Sequence, residues 1–237
     1  MLALVTHATA APASTASVPT PPAWRTYPTH LPPPARLSFA WKRGLIRGEA
    51  ILDWQPQGPR SYRLTLDVKA PLSGTVMAQV STGLVDTTGL APVRLTDRRL
   101  GSSERALNVQ RSADGAEPPR VSFSSRTDSA PFPPGSQDLL SWMVQIAGIL
   151  QARHDLGASG DTPIEMLVVG VRGDQQRWKL RPDSEADGLI HLIRRPEGPY
   201  ETQAEVWLDP ARHHLPARIR LTESNGESLE LTRSEDS

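Results

Sequence analysis

From residue 37 onward, apolar and polar residues exchange places at nearly every step. In Leu37-Ser38-Phe39-Ala40-Trp41 the residues Leu37, Phe39 and Trp41 share one side; after a turn at Gly44, Ile46, Gly48, Ala50, Leu52 and Trp54 continue the pattern. Tyr62 to Lys69 alternates without a fault, with Tyr62, Leu64, Leu66 and Val68 on the inward side. A period of two is that of a pleated strand with one wet face. The pattern predicts further strands at Thr75 to Val85, Val93 to Leu100, Glu104 to Gln110 and Arg120 to Ser124. After an interruption they resume at Ile164 to Val171, Arg177 to Leu180, Leu189 to Arg194, Glu201 to Leu208, Ala217 to Thr222 and Ser228 to Thr232. Asn225-Gly226 joins the last two, and both residues tolerate the positive φ of a tight hairpin.

One segment breaks the period. Pro131-Phe132-Pro133-Pro134-Gly135 stops any strand, and Ser136 is placed to cap a helix ahead of Gln137 and Asp138. Leu139, Leu140, Met143, Ile146, Ala147 and Leu150 then recur at helical spacing. Asp138 near the start, and Arg153 with His154 near the end, suit the helix dipole. The predicted helix covers about residues 137–152, too short for the ~20 residues of a membrane span. Its polar face is thin (Gln137, Ser141, Gln145), and Trp142 and Val144 are also apolar, so it is expected to be buried on more than one side.

About a dozen strands and one helix make an all-β fold. An antiparallel sheet of that size curls or closes, because strand twist accumulates. The expected architecture is a strongly curved, barrel-like meander with the helix packed against it, spanning residues 35–234 as a single domain.

Composition narrows the possible partners. Twenty-six Lys and Arg balance 26 Asp and Glu, so no net field draws nucleic acid, and none is expected as a partner. There is no cysteine, which removes disulfides, thiolate metal sites, cysteine nucleophiles and a lipid-modified N-terminal cysteine.

Residues 1–34 differ from the rest. Met1-Leu2-Ala3-Leu4-Val5 is a short apolar patch, and Ala8-Thr9-Ala10 fits the small-x-small pattern of a signal-peptidase site. No Lys or Arg precedes Arg25, so this segment is either the remnant of a signal or anchor, or a low-complexity tail. From Pro12 to Pro34 lie eight of the 23 prolines, among Thr, Ser and Ala. That composition predicts an extended, disordered tether of the kind that carries exported domains, and hence a periplasmic, cell-envelope location.

Candidate chemistry is sparse. No Gly-x-Ser-x-Gly elbow, phosphate loop, dinucleotide fingerprint or His-Glu-x-x-His motif is present. No catalytic residue, metal site or cofactor is therefore assigned. His213-His214 is the densest histidine cluster, but neighbouring residues point apart and a metal needs three or four converging ligands. Asp97 and Glu104 flank a predicted turn, where acids usually solvate rather than catalyse. Arg218 and Arg220 share the face opposite Ile219 and Leu221. They are candidates for binding an anionic head group, or else part of a solvated face balanced by Glu205, Glu223 and Asp97. The helix offers two readings. Leu139, Trp142, Met143, Ile146 and Leu150 either fill the barrel core, or line a cleft for an acyl chain or other apolar ligand.

Three stretches carry a resemblance. They are Gly89-Leu90-Ala91-Pro92-Val93-Arg94; Phe132-Pro133-Pro134-Gly135-Ser136-Gln137-Asp138-Leu139-Leu140-Ser141; and Glu205-Val206-Trp207-Leu208-Asp209-Pro210 running to Leu215-Pro216-Ala217-Arg218-Ile219-Arg220-Leu221. With them the chain resembles the bacterial domain of unknown function 3108 family over residues ~36–232. The resemblance implies an exported β-rich protein and no particular activity. A non-enzymatic envelope protein is expected, binding a lipid-like ligand or lipidated partner between helix and sheet. The alternative is an envelope scaffold or interaction module without a ligand cavity, and an enzyme is the least supported reading.

Overall fold

The computed structural model describes residues 24–112, 117–153, 156, 162–183 and 187–234. Seven strands follow one another first: β1 (Ala35–Arg43), β2 (Ile46–Pro56), β3 (Ser61–Ala70), β4 (Gly74–Asp86), β5 (Gly89–Arg99), β6 (Arg105–Gln110) and β7 (Arg120–Phe123). Two short strands, β8 (Ser129–Pro131) and β9 (Gln137–Asp138), precede the helix α1 (Trp142–Ala152). Then come β10 (Ile164–Val169), β11 (Gln175–Pro182), β12 (Ile190–Arg194), β13 (Gln203–Asp209), β14 (Leu215–Thr222) and β15 (Ser228–Arg233), with one 3-10 turn at Pro210–Arg212.

All 15 strands belong to one sheet, in the order β8-β7-β6-β5-β4-β3-β2-β1-β15-β14-β13-β12-β11-β10-β9. Each half is a meander, and the halves join where β1 pairs antiparallel with β15. Every pairing is antiparallel except β9 with β10, which is parallel. A parallel pair needs a crossover, and α1 supplies it.

The alternation read from the sequence has its physical basis here. Tyr62, Leu64, Leu66 and Val68 of β3 are buried, as are Leu37, Phe39 and Trp41 of β1 and Ala50, Leu52 and Trp54 of β2. Ile46 departs from the pattern, lying exposed at the β1–β2 tip. Strand prediction missed β8 and β9, which lie within or beside the proline-rich interruption.

The helix is shorter than the expected 137–152, and its start differs. Gln137 and Asp138 are extended, because their backbone pairs with Val168 and Val169 of β10. Ser136 therefore caps no helix; its hydroxyl donates to the Pro133 carbonyl at 2.6 Å. The Asp138 carboxylate instead accepts from the backbone N–H of Leu140 and Ser141 at 2.8 and 2.7 Å, while the Ser141 hydroxyl accepts from the Asp138 N–H. This aspartate-centred turn converts strand to helix within three residues. Neither end turn carries the charge expected of it: the first turn holds no acid and the last no base, with Arg153 as the C-cap. His154 lies outside the described residues.

The expected leader 1–34 divides at residue 24. Residues 1–23 lie outside the described residues. Residues 24–34 run against the domain, with Trp24, Tyr27 and Leu31 packed on the core. The Tyr27 hydroxyl accepts from the Glu165 N–H at 2.8 Å, and the His30 N–H donates to the Gly148 carbonyl at 2.9 Å. The Trp54 indole N–H donates to the Pro32 carbonyl at 2.9 Å. Gly148 permits this docking: a Cβ there would stand 3.1 Å from the Leu31 side chain. Apolar anchors placed between prolines hold the segment where composition alone predicted a free tether.

Candidate functional site

The two ends of the strand order, β8 and β9, are separated by only residues 132–136. Five intervening residues span at most about 20 Å, so the sheet must curl back on itself. No backbone ladder closes it; two glutamine side chains of the β9–α1 segment bridge to β5 instead. Gln137 donates from Nε2 to the Leu90 carbonyl at 2.9 Å, and Gln145 accepts at Oε1 from the Leu90 N–H at 2.8 Å. Gln145 also donates from Nε2 to the Thr88 carbonyl at 2.7 Å. Gly89, at φ 97°, is required here, because a Cβ on it would lie 2.4 Å from Gln145 Oε1.

Beneath these glutamines is a sealed polar hub. Tyr62 of β3 and Ser81 of β4 share a hydrogen bond at 2.9 Å, and the Ser81 hydroxyl donates to Asp138 Oδ2 at 2.5 Å. Asp138 thus accepts from a strand hydroxyl on one oxygen and from two backbone amides of the helix approach on the other. Burial pushes its carboxyl above the ordinary aspartate value, opposed by the hydrogen bonds from Ser81, Ser141 and Leu140. Burial, and then the Asp138 charge, push the Tyr62 phenol well above its own ordinary value. A serine, an aspartate and a tyrosine in contact invite a catalytic reading. All three are shut away from solvent, so no substrate reaches them in this conformation. The hub ties the helix start to the strands it packs on.

The candidate ligand-binding residues are now placed. Trp142, Met143, Ile146 and Leu150 are buried in the main core, and Leu139 is half-buried against it. Trp142 meets Trp178 of β11 edge to face at 5.1 Å. Trp142, Val144, Ile146 and Leu150 are 0% exposed, as are Leu64, Leu95 and Leu107 of the surrounding strands. A hollow wide enough for an acyl chain would leave its lining open to a water-sized probe. Side chains fill the space around these residues.

Arg218 and Arg220 lie on the outer face, over the ring of Trp207, with centroid distances of 4.6 and 5.8 Å. Trp207 stacks in turn on His191 at 4.2 Å. Both arginines form ion pairs with Glu230, and Arg220 also approaches Glu205 at 3.8 Å. Their charge is thus largely balanced in place, and their guanidinium planes shield an outward-facing aromatic.

Other candidates disperse. His213 and His214 both adopt positive φ, and among the described residues no group of three or more His, Asp or Glu converges as a metal would need. Asp97 pairs with Arg99 at 3.1 Å, while Glu104 is exposed. Among the described residues no helix is long and apolar enough to cross a membrane.

Sequence reasoning missed one feature, the large apolar residues exposed at hairpin tips: Leu45, Leu72 and Leu100, with Tyr200 in the β12–β13 loop. Its signal was present as a leucine beside a turn glycine in Gly44-Leu45, Leu72-Ser73-Gly74 and Leu100-Gly101.

Among the described residues, an open, mostly antiparallel sheet curled around a buried helix defines a barrel-like protein with a sealed polar centre. The chain belongs to the family described as protein of unknown function (DUF3108), whose pattern matches residues 36–232. The crystal structure of a beta-barrel-like protein of domain of unknown function DUF1849 from Brucella abortus is similar, with a TM-score of 0.50 at 10% identity. The match covers 85% of this chain and 95% of that one. That likeness is one of fold. No curated protein sequence matches the chain.

Proposed function

We propose that this is a non-enzymatic exported protein of the cell envelope that acts through its outer surface, as a scaffold or interaction module. The observation that carries this reading is the occupied interior. Where a lipid carrier needs a hollow, the chain places Trp142, Ile146 and Leu150 against the strand side chains with none of them exposed. The buried polar groups favour the same reading, since Asp138 and Gln145 spend their hydrogen bonds on the protein's own backbone and on the Ser81 hydroxyl. Export is supported by the small-residue pattern at Ala8-Thr9-Ala10 and the proline-rich stretch after it.

One experiment tests both halves. The protein is expressed with residues 1–34 in a Gram-negative host, released by osmotic shock and weighed by native mass spectrometry. The expected result is recovery in the shock fluid at the mass of the unliganded chain. Retention in the cytosol would overturn residues 1–34 as a working export signal, and a stoichiometric lipid adduct would overturn the occupied interior.

A further inference from the structure

In a meander, alternate turns fall at the same end of the sheet, so the β1–β2, β3–β4 and β5–β6 tips share one rim. Pairing of Arg43 with Leu229 and of Gln203 with Thr222 puts the β14–β15 turn and the β12–β13 loop on that rim as well. Most of the large exposed apolar residues among the described residues are here. Leu45 and Leu72 are as exposed as a side chain can be, Leu100 and Ile46 are more than half exposed, and Tyr200 extends from the β12–β13 loop. Leu72 also sits at φ 67°, a conformation unfavourable for a leucine, with its side chain turned to solvent.

Charge accompanies the leucines. The three tips and their flanks, residues 42–49, 69–75 and 97–105, hold seven bases (Lys42, Arg43, Arg47, Lys69, Arg98, Arg99, Arg105) and three acids (Glu49, Asp97, Glu104). The other two loops on this rim, residues 195–202 and 223–227, hold one base (Arg195) and four acids (Glu197, Glu201, Glu223, Glu227), so the basic excess is confined to the β1–β6 side. Arg43 and Arg99 are ion-paired, but among the described residues Lys42, Arg47, Lys69 and Arg98 form no ion pair. Lys42 and Arg47 stand directly opposite each other across the β1–β2 pair, with Glu230 of β15 opposite Lys42 on its other side.

We propose that this rim docks on an anionic lipid bilayer, with Leu45, Leu72 and Leu100 entering the acyl boundary and Lys42, Arg47, Lys69 and Arg98 meeting the head groups. The strand spacing sets the leucine tips roughly 10 Å apart. Separate apolar points ringed by bases suit a fluid interface, which fills in around each one. A protein partner would instead call for one contiguous apolar patch. The inference rests on the reading of an outward-acting module, but its test does not depend on the compartment or on an empty interior.

The test is co-sedimentation with vesicles of phosphatidylcholine alone or mixed with phosphatidylglycerol. The full chain is expected to pellet with the mixed vesicles at low ionic strength and to be released by high salt. Replacing Leu45, Leu72 and Leu100 together by Ser, or Lys42 and Arg47 together by Gln, is expected to weaken partition at least about tenfold. Neither change should shift the melting temperature. Leu84→Ser, an exposed leucine at the opposite end of β4, serves as a control and should bind as the parent does. A parent chain that stays in the supernatant, or a triple-serine variant that pellets equally well, would overturn the proposal. Equal binding to both vesicle types would overturn its electrostatic half.

Discussion

Trp142→Ala should cost about 3–5 kcal/mol of unfolding free energy, a large share of the ~5–15 kcal/mol that a domain typically has. The indole is fully buried at the first position of α1, set edge to face on Trp178, with its N–H directed at the Leu139 carbonyl at 3.2 Å. Truncation leaves a void that neighbours cannot fill, since the walls on that side are strands held by their own ladders. Trp142→Phe keeps an aromatic face against Trp178 and should lose less than half as much. Denaturant titration of the three proteins measures both differences. A loss below about 1 kcal/mol for the alanine variant would mean that the helix is only loosely seated.

Removal of the buried carboxylate should be nearly as severe. Asp138→Ala strips acceptors from the amides of Leu140 and Ser141 and from the Ser81 hydroxyl, all inside the protein. Leaving such donors unpaired is expected to cost at least about 3 kcal/mol in total. Asp138→Asn retains an acceptor for the two amides and offers Ser81 a donor, so a loss under about 1.5 kcal/mol is expected.

The two variants also divide on pH. Burial raises the folded-state pKa of Asp138, so over the interval between the unfolded and folded values the folded state binds the extra proton. The stability this group contributes is complete below the unfolded pKa and is lost as pH climbs through the folded one. The parent should therefore lose ground to Asp138→Asn as pH rises from acid toward neutral. A difference that stays flat, or grows in the parent's favour, would contradict a raised carboxyl.

Strands such as β1 to β3 were legible because one face is wet, as the burial of Tyr62, Leu64, Leu66 and Val68 illustrates, whereas β10, β12 and β13 are buried on both faces. The two shortest were not. Gln137-Asp138 is strand only because β10, more than 25 residues later in the chain, pairs with it, and no local propensity records a partner at that distance. The same pairing moved the helix start from Ser136 to Ser141. The apolar spacing of α1 was visible, but spacing alone could not choose between core and cleft. That choice depends on whether residues from β5, β11 and β14 reach the helix. Asp138 and Gln145 looked like ordinary polar positions of a helix surface; their roles come from Ser81 and Leu90, more than 50 residues away.

The docked segment 24–34 shows the reverse limit. Composition predicted a disordered tether, yet Trp24, Tyr27 and Leu31 among the prolines pack on the core, and the segment bonds to Glu165 of β10 and to Gly148.

The central claim is that α1 belongs to the cooperative core of the curled sheet and does not act as a lid over a ligand. Native-state hydrogen exchange of the amides from Gln145 to Leu150 addresses it most directly. These amides are expected to exchange only through global unfolding, with the free energy found by denaturant titration. If they opened several kcal/mol more easily while β1 to β5 stayed protected, the helix would be a movable cover and the account would be wrong.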